Sequence, residues 1–566
     1  MSTEMTYLDK PWLKSYKLGP YRLDSTLSPL PLMPVFKILY DAVEKFPGQT
    51  AVLFQGRKIT YSELCLQVDQ LSTALAALGV EKGDRVCIFL PNCTEFILSD
   101  WAIMRAGAVV VPTSVLRSDE GLLHELKTSA SKVILCQEEN LDRVLGLRDQ
   151  CAVEHIIVTS KEGYDVKEAA ATLPPKAHDF RGLLTQYAAD PPRVAIDPLE
   201  DLCELAFTGG ATGKPKGVMI THFNRSSDIL LGLPWVLKPM LRGFAGKASV
   251  LIPIPLFHTY GHFVQQTAAH LGLRVILLPD SRDTQALIEH IQQHRPFLIP
   301  GVPTQFMRLA EAGLSRMNSM LLSGSAPLPA EVAEAITQAT GMPISEGYGL
   351  TETSPMLHFN VSSFSRILGF MARAKTGIGV PLPDTECRLV DPQTSLDVPF
   401  GEAGEIVVRG PQVMQGYWPE PGSGLTSDGW LHTGDIAVMD EDGYFRIVDR
   451  TKDMVNVSGM KVYTTNVDEI LYKHPAVLMA AAYGVPDPKI KGSERVMATL
   501  LLKEEYRGKV DASEIREHCR KFLSPYEVPT FIEFREEMPL TVSEKVFKKV
   551  LRDEAVEKMK ASQEGS

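Results

Sequence analysis

Leu205 to Asn224 reads LAFTGGATGKPKGVMITHFN, and in it Gly209, Gly210, Gly213 and Gly217 alternate with Thr208, Thr212, Lys214 and Lys216. Glycines let the backbone bend so that amide N–H groups converge on an anion. Hydroxyls add donors, and lysines add charge that offsets phosphate. The apolar run Leu205 to Phe207 feeds the loop as a strand would. This composition suits polyphosphate better than it suits a surface loop with incidental lysines. The segment is not a Walker P-loop, which wants Gly five positions before its Gly-Lys pair and Ser or Thr just after it. Here those positions hold Thr208 and Pro215.

Further segments follow in order: PLFHTYGH at 255–262, SGSAPL at 323–328, EGYGLTET at 346–353 and WLHTGD at 430–435. YFRIVDRTKDMVNVSGMKV at 444–462 and PLTVSEKVFKKVLR at 539–552 complete the set. Together with the glycine-rich loop, they resemble the adenylate-forming superfamily of acyl-CoA synthetases, luciferases and peptide-synthetase adenylation domains. The resemblance covers nearly the whole chain. It is nearest to bacterial medium- and long-chain fatty acyl-CoA synthetases, through KPWLKSY, EGYGLTETSP, GPQVMQGYW and GWLHTGDIAVMDEDGYFRIVDR. It implies ATP-dependent activation of a carboxylic acid to acyl-AMP, release of pyrophosphate, and transfer of the acyl group to CoA.

The same resemblance implies roles for single residues. Thr208, Gly209, Gly210, Ala211, Thr212, Gly213 and Lys216 would wrap the ATP phosphates. His258 would stand near the substrate carboxylate, and Gly324, Ser325 and Ala326 would lie against adenine. Gly347, Tyr348 and Gly349 continue the adenine site, with Tyr348 stacking on the base. Thr351 would donate to the α-phosphate, and Glu352, assisted by Thr208, would hold Mg²⁺. Asp435 and Arg450 would take the ribose. Lys452 falls at the hinge, Ser458 and Gly459 lie where CoA approaches, and Lys545 is the catalytic lysine. Each feature has a plainer reading by itself: a satisfied core histidine at His258, a tight turn at 323–328, a helix cap at Thr351-Glu352, a solvated turn at 449–453, an amphipathic basic helix after 539.

The chain departs from the pattern in three places. Gly210-Ala211 lacks a second hydroxyl, Glu544 precedes Lys545 where Gly is frequent, and Thr464-Thr465-Asn466 replaces a common Pro-x-Glu. Acetate-activating relatives carry a tryptophan pair where this chain has Tyr348-Gly349-Leu350, so the acid expected here is larger. Amino-acid-activating relatives place Asp after the Phe of the pocket segment, but Phe257 is followed by His258. An aryl or alicyclic carboxylate–CoA ligase is the alternative. A catalytically silent nucleotide-binding protein is a remote one, since Glu352, Asp435 and Lys545 are all present.

These residues need a scaffold. Phe36, Leu39, Tyr40, Val43 and Phe46 are spaced as on an amphipathic helix over 35–46, and Leu64, Val68, Leu71, Leu75 and Leu78 mark another. Short strand runs at 109–111, 132–135, 156–158, 250–254 and 275–278 alternate with helical patterns, which predicts α/β architecture with mostly parallel, helix-covered sheets. Residues 1–34 read as an extended arm and 164–192 as a connection. Residues 401–444, which include a strand run at 405–409, read as a β-rich subdomain. A helix capped by Thr465 through Leu471, strands at 478–483 and 496–502, a helix at 513–522 and a strand at 530–534 predict a small α+β domain, which the resemblance implies is mobile. The expected division is 1–449 and 450–566.

At 566 residues the chain is too long for one core. Its 69 acids against 58 bases, net −11, argue against nucleic acid as a partner. The eight cysteines form no CxxC pair and read as small core hydrophobes in a reducing compartment. The start lacks the apolar run of a signal peptide, and no apolar segment is long enough for a bilayer, so a cytoplasmic location is expected. The implied partners are a carboxylic acid, ATP, Mg²⁺ and CoA. Peripheral membrane contact and a homodimer are left open.

Overall fold

The computed structural model describes residues 6–165, 172–208, 215–280, 282–314, 316–490, 492–541 and 545–564. Its β-branched runs assemble into two nine-stranded sheets. In the first, strands Val109–Pro112, Arg85–Phe89, Val133–Gln137 and His155–Thr159 run parallel beside Leu202–Thr208, and Lys216–Thr221 turns back antiparallel. In the second, Arg274–Leu277, Ser249–Ile252, Leu298–Gly301, Met320–Ser323 and Ile344–Gly349 are parallel, and Met356–Phe359 pairs antiparallel at one side. Near-continuous apolar sequence in these strands matches burial on both faces.

Helix Thr94–Arg105 is buried along its whole length apart from its last residue, and helix Thr259–His270 nearly so. Their polar residues, Asp100 and His262 among them, must therefore find partners inside the protein. Thr208 ends one parallel strand, while Ser323 and Gly349 end two others, so the expected nucleotide segments gather at carboxyl ends of strands, where open α/β sheets bind ligands.

Strands Glu386–Val390, Gly404–Arg409, Leu431–Met439 and Phe445–Arg450 form an antiparallel sheet, the β-rich subdomain. A separate buried cluster begins at Val455 and gathers helices Thr464–Tyr472 and Ala512–Arg520 against the sheet Val477–Pro486, Glu494–Leu502, Phe531–Arg535. Helix Lys548–Glu564 packs on the sheet's other face.

Four expectations are corrected. The arm expected to be extended is folded onto the core from residue 6 on: Tyr7, Trp12, Tyr16 and Leu18 are buried, because two short 3₁₀ turns and a hairpin bring its aromatics inward. The 164–192 connection contains strand Ala177–Asp179 and helix Phe180–Gln186. Thr465 does not cap its helix, which starts one residue earlier with Tyr463 at the cap position and no side-chain cap. The final basic segment is helical only from Lys548, which leaves Lys545 in a loop. The eight cysteines are free and six are buried, as expected of core residues.

Candidate active site

Thr208 and Lys216 face each other across the antiparallel pair that encloses the glycine-rich loop. Gly209, Gly210, Ala211, Thr212 and Gly213, with Lys214, lie outside the described residues, as does Glu544. Lys216 Nζ stands 5.0 Å from the centroid of the Tyr417 ring, on a strand that pairs with Lys216–Thr221. The Tyr417 hydroxyl donates to Glu352 Oε1 at 2.8 Å. One Glu352 oxygen is thus held by a tyrosine hydroxyl. Tyr417 escaped the sequence reading, and only its neighbours in GPQVMQGYW hinted at it.

Gly349 is dictated by the protein itself, since an added Cβ would lie 1.6 Å from the Pro355 carbonyl oxygen. Gly347 is different: a Cβ there would make only ordinary contacts with Leu322 and Met356, so packing by itself does not demand glycine. Gly324 closes on the Tyr260 ring, with 3.2 Å to an added Cβ, and Ser325 beside it has φ of 71° in a sharp turn. Ala326 is half-buried in the same loop. Glu346, one residue before the glycine motif, is pushed up to about 7 by burial, against a Leu328 N–H donor that favours its charged form.

Tyr348 donates to Asp435 Oδ2 at 2.7 Å, and Arg450 Nε donates to Asp435 Oδ1 at 2.9 Å. Asp435 and Arg450 are direct cross-strand partners, so the antiparallel register builds this pair. Each Asp435 oxygen retains acceptor capacity for a hydroxyl. Thr351 and Glu352 sit in a short turn tied by Leu350 N–H to the Thr353 hydroxyl, 3.0 Å.

His258 is the residue before helix Thr259–His270, and its Nδ1 accepts the Tyr260 N–H at 3.3 Å. Burial, helped by the positive charge of Lys545, lowers its pKa to about 3. The ring is therefore neutral, and with Nδ1 accepting, its proton is assigned to Nε2. Lys545 is tied to Thr541 by two bonds: the Thr541 N–H donates to the Lys545 carbonyl at 2.7 Å and the Lys545 N–H to the Thr541 hydroxyl at 3.1 Å. Burial and then the Arg450 charge push its ammonium down to about 8, with Asp435 opposing and Lys452 adding to the fall. Lys545 thus stands where its charge acts on His258 and where Arg450, Lys452 and Asp435 act on its own. Ser458 and Gly459 form an exposed hairpin tip whose hydrogen bonds run to Ser493 and Asn456, away from the nucleotide residues.

Beneath the site lies a buried network that the sequence reading missed. Arg225 and Glu204 form an ion pair, both fully buried. Arg225 Nη1 also donates to the Ser354 carbonyl at 2.5 Å, just past the Thr-Glu pair. His262 Nδ1 stands 3.3 Å from Glu204, and its Nε2 is 2.6 Å from Asp100. Gln265 and Gln266 donate to the second Asp100 oxygen at 2.6 and 3.0 Å. Burial opposes charge on His262, but the Asp100 and Glu204 carboxylates overcome it and hold the imidazolium up to about 9. The signal was present: Glu204 interrupts an apolar strand and Asp100 an apolar helix.

The AMP-binding enzyme family matches residues 39–418, and the AMP-binding enzyme C-terminal domain matches 466–545. A long-chain-fatty-acid–CoA ligase of Bacillus subtilis is 35% identical over 97% of this chain and 98% of its own. A feruloyl-CoA synthase of Amycolatopsis is 34% identical over 89% and 96%. Among solved structures, ATP-bound MatB from Rhodopseudomonas palustris superposes with a TM-score of 0.80 at 26% identity, over 93% of this chain and 99% of that one.

Proposed function

The chain belongs to the AMP-binding enzymes, and on that premise we propose that it activates a medium- or long-chain fatty acid to the acyl adenylate and passes it to CoA. It is an AMP-forming acid–CoA ligase that uses ATP, Mg²⁺ and CoA. The reading of the site is supported by one observation: Lys545, just before the final helix, is near enough for its charge to act on His258 and for Arg450 and Asp435 to act on its own.

In the proposed chemistry the acid's carboxylate attacks the α-phosphorus of ATP and pyrophosphate leaves. The protein's work is positioning and charge stabilisation. Lys545, Arg450, Lys452 and Lys216 place positive charge where the negative charge of the transition state builds. Neutral His258 offers Nε2–H to the carboxylate without competing for its charge. Asp435, held by Tyr348 and Arg450, takes the ribose hydroxyls. Glu352 with Thr208 fits Mg²⁺, a cation that keeps several waters and needs one or two protein oxygens beside the phosphates. Bound there, it would neutralise phosphate charge. Rotation of the 450–566 unit about Lys452 would then withdraw Lys545 and bring Ser458-Gly459 to the CoA thiol.

The fatty-acid reading is supported by the 35% identical relative and by Tyr348-Gly349-Leu350 standing where smaller-acid enzymes have tryptophan. The feruloyl-CoA synthase relative supports an aryl acid instead. Pyrophosphate exchange with a panel of acids decides. Specificity constants should rise from acetate through octanoate, each methylene adding about 0.8 kcal/mol until the pocket fills. A larger value for benzoate or ferulate than for any fatty acid would replace the fatty acid with an aryl one.

No described helix is long and apolar enough to cross a membrane. A peripheral contact is supported by Tyr21, Phe370 and Met371, which are exposed with the Tyr21 and Phe370 rings 6.0 Å apart, beside exposed Arg22 and Arg373.

A further inference from the structure

Asp449 precedes Arg450 on the strand that pairs with Leu431–Met439, its own partner being Ile436. It therefore moves with the large domain, and it is buried, 2% exposed. Its carboxylate accepts both donors of Thr464: the backbone N–H at Oδ2 and the hydroxyl at Oδ1, the latter at 3.2 Å. The Arg450 N–H adds a third bond at 2.7 Å. The Thr464 hydroxyl in turn accepts from Lys548 Nζ at 3.0 Å, and the same ammonium reaches Asp468 Oδ2 at 2.7 Å. Thr464 opens helix Thr464–Tyr472, beyond Lys452, and Lys548 lies three residues after Lys545 at the start of the final helix.

These contacts join two parts that a rotation about Lys452 would separate. Asp449 stays with the Leu431–Met439 strand, whereas Thr464 and Lys548 leave with the small domain. We infer that Asp449, Thr464 and Lys548 form a clasp that holds the enzyme in the arrangement where Lys545 is in the site, so that Asp449 is a positioning residue for adenylation and idle in thiol transfer. The inference rests on the proposed two-step ligase with its hinge at Lys452.

The clasp is a property of this chain's own sequence. Many adenylate-forming enzymes that it resembles have proline at the Thr464 position, and proline carries neither an N–H nor a hydroxyl. Both Thr464 bonds to Asp449 depend on the departure. Burial pushes the Asp449 carboxyl up to about 6, with the Lys548 charge opposing.

Thr464→Pro tests this directly, because proline is well tolerated at the first position of a helix while it removes both donors. Two half-reactions are read on the full chain: pyrophosphate exchange with ATP and octanoate, and thioester formation from supplied octanoyl-AMP and CoA. Thr464→Pro should lower exchange about tenfold, the equivalent of roughly one strong hydrogen bond to a charged group, while thioester formation stays at or above the wild-type rate. Thr464→Ser should restore exchange. Exchange unchanged in Thr464→Pro, or both half-reactions falling together, overturns the clasp. Should Thr464→Pro fail to fold, Thr464→Val keeps the N–H and removes the hydroxyl between Asp449 and Lys548. It should show the same split at about threefold, and no split overturns the inference equally. A wild-type protein without acid-dependent exchange would instead refute the ligase reading, so the two failures are distinguishable.

Discussion

The floor of the site and the Lys545 segment both bring charge to the same place, and they are built in opposite ways. In the floor, Arg225, Glu204, His262 and Asp100 are at most 1% exposed, and each is bound to others from separate elements of the large domain. Lys545 is half-buried, and its segment is held by local backbone bonds, between Thr541 and Lys545 and between Phe547 and Pro539. The first arrangement is rigid and expensive to disturb, because removal of one partner strands a charge without water. The second is easily displaced, which suits a cation needed in one half-reaction and unwanted in the other. Charge that must stay put is buried and paired, and charge that must move is carried on a lightly fastened segment.

The sharpest way to break the comparison is to remove a floor cation. Arg225→Met leaves Glu204 buried beside only His262, and should destabilise the protein by about 3–5 kcal/mol in a denaturant titration. A loss below 1 kcal/mol would mean that water reaches the floor and that the contrast is false. Lys545→Ala is the counterpart. It should cost on the order of a hundred- to a thousandfold in acyl-adenylate formation with the unfolding midpoint unchanged, and should spare thioester formation from supplied acyl-AMP. If stability falls with it, the segment belongs to the rigid class.

Tyr417 tests an intermediate case, a rigid group behind a proposed metal ligand. Tyr417→Phe removes the hydroxyl that orients Glu352 and should raise the Mg²⁺ concentration needed for half-maximal exchange by about tenfold, with maximal rate and stability close to wild type. An unaltered Mg²⁺ dependence would take Glu352 away from the metal.

The smallest effects come from pH, and they separate the two regions by what is measured. His262 is raised above its ordinary value of 6.5 to about 9, so its contribution to stability is complete below pH 6.5 and is lost as pH rises through 9. Unfolding free energy should therefore decline across that window, and His262→Gln should flatten the decline. Lys545 is lowered to about 8, so its charged form is present below pH 8 and disappears above it. The kcat/KM for adenylation should fall with an apparent pKa near 8. An acid limb at that pH, or none, would deny Lys545 its role as the charged group.

Legibility differed between these regions for a physical reason. The contact surface of the site is rich in residues whose type is dictated by chemistry or by close approach, and such residues stand out singly in a sequence. Gly349 must be glycine because a carbonyl presses on it, and Asp435 and Arg450 sit in strands whose register pairs them. Strand and helix positions were equally readable from periodicity, as with Val133–Gln137 and helix Tyr61–Ala77. The floor was not readable, because Glu204, His262 and Asp100 look like isolated polar residues in apolar runs until three elements pack together.

By itself, then, the sequence determined the local facts: the order of the motifs, the α/β alternation, and the departures at Ala211, Thr464 and Glu544. Tertiary structure alone decided which distant residues meet. Tyr348 reaches Asp435 across 87 positions, His262 reaches Asp100 across 162, and Thr464 turns from an unexplained departure into the partner of Asp449 and Lys548. Steric and hydrogen-bonding preferences of a residue act over a few neighbours and are written into its local sequence. Electrostatic partnership acts through space, and it exists only once the hydrophobic packing of sheets and helices has brought the charges within reach.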